Sequence, residues 1–311
     1  MRVRALACLL LLLPAWASAA PDPVEILKRT ANIAIKPPYT ATRTIISGSQ
    51  TVTIKLYWSG PQSERQQLPG GQGQLLYIEN DRQAWYTGAA LAGGPSHSYG
   101  LAEMLSIPLV VRNYRIRLVG SNPVAGRPAC CLQLSPLVAD RSSWRLWVDQ
   151  ATGLVLRRES TSPEGKVQFV EYLSDLKFNP PLSRALFVPP AKTGAPRQVL
   201  SLPVPDLEKR LGCRIALPRR LPAGFVLIDS RLVQVAQDTF AHLYFSDGLN
   251  GLSLFELPAR ADRAGQQRTR TAWLVSGLLA DALTWSSSGM HLTLVGALPE
   301  TLLREIAASV R

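Results

Sequence analysis

Histidine is scarce in this chain. His97, His242 and His291 are the only three, and none stands at the H-x-x-x-H spacing that presents paired ligands to zinc. No C-x-x-C occurs either, so no metal site and no cofactor is expected. The G-x-S-x-G elbow, the P-loop and the dinucleotide fingerprint are also missing, which removes common ways of holding a nucleophile or a phosphate. One grouping does supply triad residue types: His242, Tyr244 and Ser246 fall on one face of a strand, with Asp247 adjacent. Strand neighbours two apart stand side by side, however, and no second element is evident to orient the histidine. Asp247-Gly248 reads instead as a hairpin turn. The chain is therefore read as having no catalytic residues and as not being an enzyme.

Long apolar runs are absent after residue 13; a membrane-crossing helix needs about 20 residues. The early run is too short to span. Arg2 and Arg4, the apolar Ala5 to Leu13, and Ala17-Ser18-Ala19 have the order of a signal peptide, expected to be cleaved near Ala19/Ala20 to leave a periplasmic protein. Beyond it only Cys130, Cys131 and Cys213 remain. An odd number is a poor basis for a disulfide framework, even in an oxidising compartment, and at least one thiol should be free. The sequence leaves open whether Cys213 pairs with Cys130 or Cys131. On a strand, those two neighbours should point to opposite faces. Acidic residues are outnumbered as well. Residues 20 to 197 hold 20 Lys/Arg against 12 Asp/Glu, and residues 198 to 311 hold 12 against 10. An exported chain meets little nucleic acid, so none is expected as a partner. The charge fits either an anionic lipid, lipopolysaccharide or acidic protein segment, or a plain solvated surface.

What is present is mostly period-two patterning. Residues 23 to 35 read as a helix, with Pro23 in its first turn and Pro37-Pro38 beyond its end. Then Val52, Ile54, Leu56 and Trp58 alternate with polar positions, as do Tyr114, Ile116 and Leu118, and Trp144, Leu146 and Val148. Turns rich in Gly, Pro and Asn separate these runs, as antiparallel hairpins require. Leu101 to Val111 interrupts them as a continuous apolar stretch with helical spacing, either a lid or an ordinary core helix. The pattern ends near Phe187, and residues 189 to 205 read as a Pro-rich linker. A second unit follows, with strands near 225 to 235, 239 to 246, 252 to 257 and 291 to 295, and a closing helix near 299 to 310. The fold class is α+β.

Two sets of residues carry a family resemblance. The strand pair from Trp144 through Trp147-Val148-Asp149 and Thr152-Gly153-Leu154, then Phe169-Val170-Glu171-Tyr172 and Phe187-x-Pro189, resembles the LolA-type half-barrel of lipoprotein carriers. Leu221-Pro222-Ala223-Gly224-Phe225, the His242 to Leu249 segment, Ser253-Leu254-Phe255 and Val295-Gly296-x-x-Pro299 are similar to the C-terminal domain of MucB/RseB proteins. With the signal peptide (1–19) and the linker (189–205) read above, the resemblance implies an antiparallel half-barrel wrapped around a helix (20–188) and a smaller C-terminal domain with an antiparallel sheet and terminal helix (206–311). It further implies a periplasmic negative regulator of an envelope-stress sigma factor. Such a regulator binds the periplasmic segment of an anti-sigma factor and senses acyl chains of lipoprotein or lipopolysaccharide; self-association is possible. A lipid or lipoprotein carrier of the LolA type is the alternative. Leu101, Met104, Leu105, Ile107, Leu109 and Val110, with Trp58 and Trp85, are the candidate lipid-binding residues; the two tryptophans could equally be sheet core.

Overall fold

The computed structural model describes residues 21–32, 36–61, 63–67, 76–80, 83–87, 105–138, 141–189, 198–235, 238–258, 273–275, 278–296 and 298–311, and the side chains of 76–80, 83–87, 235, 273–275 and 278–281 fall outside the description. The expected signal peptide lies outside these residues, as do Leu101 and Met104.

Helix α1 (Pro23–Ala31) starts where Asp22 Oδ1 accepts a hydrogen bond from the Val24 amide at 2.9 Å, with Pro23 in its first turn. It buries Ile26 and Leu27 and stops four residues short of the expected Ile35, at the Asn32 cap. Cations hold its C-terminal end. Arg29 donates to the carbonyls of Gln150 and Ala151, and Lys36 Nζ donates to those of Arg29, Thr152 and Gly153. Positive charge is favourable there, where helix carbonyls lack partners.

Ten antiparallel strands form the first sheet: β1 (Tyr39–Ser47), β2 (Gln50–Gly60), β3 (Ser63–Gln67), β4 (Leu76–Asn80), β5 (Gln83–Thr87), β6 (Tyr114–Val124), β7 (Arg127–Pro136), β8 (Ser143–Asp149), β9 (Val155–Thr161) and β10 (Val167–Phe178). Their order is β5-β4-β3-β2-β1-β10-β9-β8-β7-β6, an open sheet not closed into a barrel. Alternation sorts side chains to one buried face. Tyr39 stands opposite Trp58 and Ala41 opposite Leu56, while Leu132 lies between Leu118 and Leu146. That face and α1 share one core with Ile45, Ile54, Leu134, Trp144, Leu156 and Phe169. The described part of the apolar stretch contributes α2 (Ile107–Asn113), which runs directly into β6.

A second, seven-stranded sheet follows: β11 (Gln198–Ser201), β12 (Val226–Val235), β13 (Asp238–Ser246), β14 (Gly251–Pro258), β15 (Trp273–Val275), β16 (Leu278–Ser287) and β17 (Met290–Gly296), in the order β11-β12-β13-β14-β17-β16-β15. Helices α3 (Val204–Leu211) and α4 (Glu300–Ser309) pack on one face, burying Leu207, Leu303 and Ile306 against Leu243, Leu254 and Leu294. Within the stretch read as a linker, Gln198–Ser201 pairs with β12 and Val204 opens α3. Cys130, Cys131 and Cys213 are all free thiols. Cys130 faces the first core and Cys131 the opposite side, where burial pushes its thiol pKa up.

Candidate functional site

The turn between β13 and β14 makes the joint between the two sheets. Ser246-Asp247-Gly248-Leu249-Asn250 belongs to the second unit by sequence, yet Leu249, 3 % exposed, is a member of the first sheet's core. The turn is built locally. Asp247 Oδ1 accepts from the amides of Leu249 (3.0 Å) and Asn250 (2.8 Å), and Ser246 Oγ accepts from the Gly248 amide while donating to the Asn250 carbonyl. Gly248 has φ +105°, and a Cβ there would lie 2.6 Å from the Val110 nitrogen, so only glycine fits against α2.

The first unit supplies the socket. Tyr114 Oη donates to Asp247 Oδ2 at 2.7 Å and Arg141 donates to the same oxygen at 3.2 Å. Asn250 Nδ2 also donates to it and to Tyr114 Oη, and Trp144 Nε1 donates to Asn250 Oδ1. Asn113, at the end of α2, donates to the carbonyls of Gly224 and Asp247, and the Ser106 amide reaches the Gly248 carbonyl. Arg141 lies 5.6 Å from the centre of the Phe225 ring. Both partners of the Arg141–Asp247 pair are dry, with side chains 5 % and 0 % exposed. A buried carboxylate in such a place must be paired and hydrogen-bonded, which Asp247 is. Burial, with the Asp247 charge beside it, pushes the Tyr114 hydroxyl pKa far up, so Tyr114 is a hydrogen-bond donor at every physiological pH.

A second charged group lies on β10, between the core residues Phe169 and Leu173. Glu171 sits between Arg158 (2.7 Å) and Arg43 (3.8 Å). Burial opposes its charge, but the two guanidiniums outweigh it and hold its pKa below the usual carboxylate range. Near the end of α1, a cleft of 640 Å³ opens between that helix and the strands β6 to β8, lined by Ile26, Leu118, Gly120, Ser121, Cys130 and Val148 among others.

The triad types are spent on structure. Asp247 serves the joint and Ser246 the turn, while His242 Nε2 lies 3.0 Å from Ser253 Oγ and its ring stacks on Phe255 at 4.4 Å. His242 and Ser253 are each 4 % exposed.

Of the candidate lipid residues, Leu105 and Val110 are buried in the first core, with Ile107 packed against it. Val110 touches Gly248, and Leu109 is half-buried beside it. Trp58 is buried, stacked on Tyr39 with ring centres 6.2 Å apart. Trp85 lies on β5 with its side chain outside the description, and Leu101 and Met104 precede the described residues. Sequence reasoning read Asp247-Gly248 as a turn but missed Leu249, Asn250, Tyr114, Arg141 and Trp144 as a joint. The one available signal was an apolar residue, Leu249, in an otherwise polar turn.

Comparison with known proteins agrees with this two-sheet architecture. Residues 95–191 match the family described as the MucB/RseB N-terminal domain, and residues 217–311 match the MucB/RseB C-terminal domain. The sigma factor AlgU regulatory protein MucB of Pseudomonas aeruginosa is 31 % identical over 252 residues, covering 79 % of this chain and 75 % of that protein. The fold is similar to MucB in the Pseudomonas aeruginosa MucA/MucB complex, with TM-score 0.64 at 20 % identity over 94 % of this chain and 99 % of that one. It is equally similar to a crystal structure of MucB, at 0.64 and 21 % over 94 % and 98 %. The chain belongs to the MucB/RseB family.

Proposed function

We propose that this chain is a periplasmic negative regulator of an envelope-stress sigma factor. It binds the periplasmic segment of an anti-sigma factor, and an acyl chain of lipoprotein or lipopolysaccharide entering the half-barrel weakens that grip. The relatives support the first half: one is named a sigma factor regulatory protein, and MucB forms a complex with the periplasmic part of MucA. The observation that carries the second half is Leu249. A residue of the second unit completes the core of the first, beside Leu105 and Val110 of the apolar stretch. An acyl chain that inserts among those residues competes with the turn for the same apolar volume, so lipid uptake and domain arrangement are linked. Each methylene buried is worth ~0.8 kcal/mol, enough for a single chain to displace one leucine.

The test is a titration of the purified mature protein with the anti-sigma segment, with and without lipopolysaccharide. Binding is expected to weaken by about 5–150-fold, and the segment should weaken lipopolysaccharide by the same factor. Lipid and segment binding together without mutual effect would sink the switch. Lipid binding with no affinity for the segment would favour a carrier instead.

A further inference from the structure

The first sheet ends at β6, and among the described residues no strand pairs with its outer edge. Natural sheets usually cover or interrupt so long an edge, because its unpaired amides and carbonyls template another strand. Here Pro123 blocks only the far end. The two faces of β6 differ. Arg115 and Arg117 are exposed on one side, and Arg117 is in register with Gln133 and, one strand further, the exposed Arg145. Neither β6 nor β7 contains an acidic residue. On the other side Ile116 and Leu118 turn toward the core, and the 640 Å³ cleft lined by Leu118, Gly120, Ile26, Cys130 and Val148 opens along the same strand. Pockets of this size accept side chains or small ligands.

We infer that the outer edge of β6 takes up an extended partner segment as an added strand in which acidic side chains alternate with apolar ones. Main-chain hydrogen bonds to the edge supply affinity, and alternate side chains supply selectivity. Acidic residues fall opposite Arg115 and Arg117, where cross-strand charge pairs are favourable and a basic strand is repelled. Apolar residues fall beside Ile116 and Leu118, with one entering the cleft. Because β6 starts at Tyr114, which donates to Asp247, the added strand adjoins the joint and can sense its arrangement. This rests on the reading that the chain binds a periplasmic segment of a partner, and adds where that segment sits and what pattern it carries.

The test uses the mature protein and synthetic peptides of about nine residues, an ordinary strand length. One alternates valine with glutamate, one alternates valine with lysine, and one repeats the first with a central proline that cannot complete a ladder. The valine–glutamate peptide should slow hydrogen exchange at edge-facing amides of residues 114 to 121 and slow labelling of the Cys130 thiol; the other two should do neither. The double variant Arg115→Glu/Arg117→Glu, at exposed positions, should keep its melting temperature, lose about tenfold in affinity for the glutamate peptide and gain affinity for the lysine peptide. Failure of the glutamate peptide to bind, binding without protection of β6, or equal binding to both variants would overturn the assignment. An anti-sigma segment that binds wild type and double variant alike would also overturn it while leaving the regulator reading intact. A segment that binds neither protein removes the regulator reading itself.

Discussion

Two buried carboxylates behave differently because their partners differ. Asp247 accepts from Tyr114, Arg141, Asn250 and two turn amides. Removing its charge leaves Arg141 dry and without that counter-ion, and breaking a buried pair from one side typically costs about 3–5 kcal/mol. Asp247→Asn should therefore lower the urea midpoint far more than Asp175→Asn on the surface, whose loss should stay within about 0.5 kcal/mol. Glu256, fully buried on β14, accepts from the Ala216 amide through one oxygen, while the other has no hydrogen-bond partner among the described residues. Burial pushes its pKa up to about 7. Folding thus favours its protonated form: the stabilisation is full below the ordinary value of 4.5 and is lost as pH rises through about 7. Wild type should lose stability between those values, whereas Glu256→Gln should be flat there and exceed it at pH 8 by on the order of 1–2 kcal/mol. Urea melts at pH 5, 6, 7 and 8 decide this. A variant that follows the wild-type slope would show that another group titrates.

The elements of the joint were legible in pieces. Residues 239 to 246 and 252 to 257 read as strands and Asp247-Gly248 as their turn, because strand composition and turn chemistry are local properties. What the turn packs against is not local: Asn250 reaches Tyr114 across 136 residues. The apolar stretch was legible as apolar, and its described part carries a helix over Ile107–Asn113. Its inward face is shared with Leu249 and Gly248, so α2 is wall and contact at once. Leu249→Ala should cost ~2–5 kcal/mol, as cavity-forming changes do. Its signature is location, since the loss should appear as faster hydrogen exchange in β7 and β8 of the first sheet rather than in β13. Gly248→Ala, whose Cβ would meet the Val110 backbone, should separate the turn from α2 while leaving the two sheets folded. If exchange at Val110 and Ser106 is unchanged in that variant, the close packing of turn on helix is wrong.

At the scale of the whole molecule, two sheets with separate cores meet at an intruding turn, with Asn113–Gly224 and Arg141–Phe225 beside it and further approaches of β5 to β11 and of β1 to β16. A joint with a buried ion pair and a buried leucine should make them unfold together, in one transition by both fluorescence and circular dichroism. Leu249→Ala combined with Asp247→Asn should split that transition in two. A double variant that still melts in a single step would mean that the sheets are coupled elsewhere. The basic charge is also a whole-molecule property. Its clustering at Arg115, Arg117 and Arg145 on one stretch of surface turns a net balance into a directional feature.

The sequence by itself determined the class of fold, two antiparallel units, the position of most strands and the family. Those follow from period-two burial, turn residues and local motifs, each of which acts over a few residues. It also determined that histidine and cysteine would not form a zinc pattern by spacing. Only the tertiary structure decided that Ser246, Asp247 and His242 serve different partners, and that Leu249 crosses from its own unit into the other's core. It likewise decided that β6 lies at the end of the first sheet among the described residues. Those outcomes depend on which surfaces meet after the chain has closed loops of more than a hundred residues. Contacts of that kind are set by the fit and desolvation of whole faces, which no local pattern encodes.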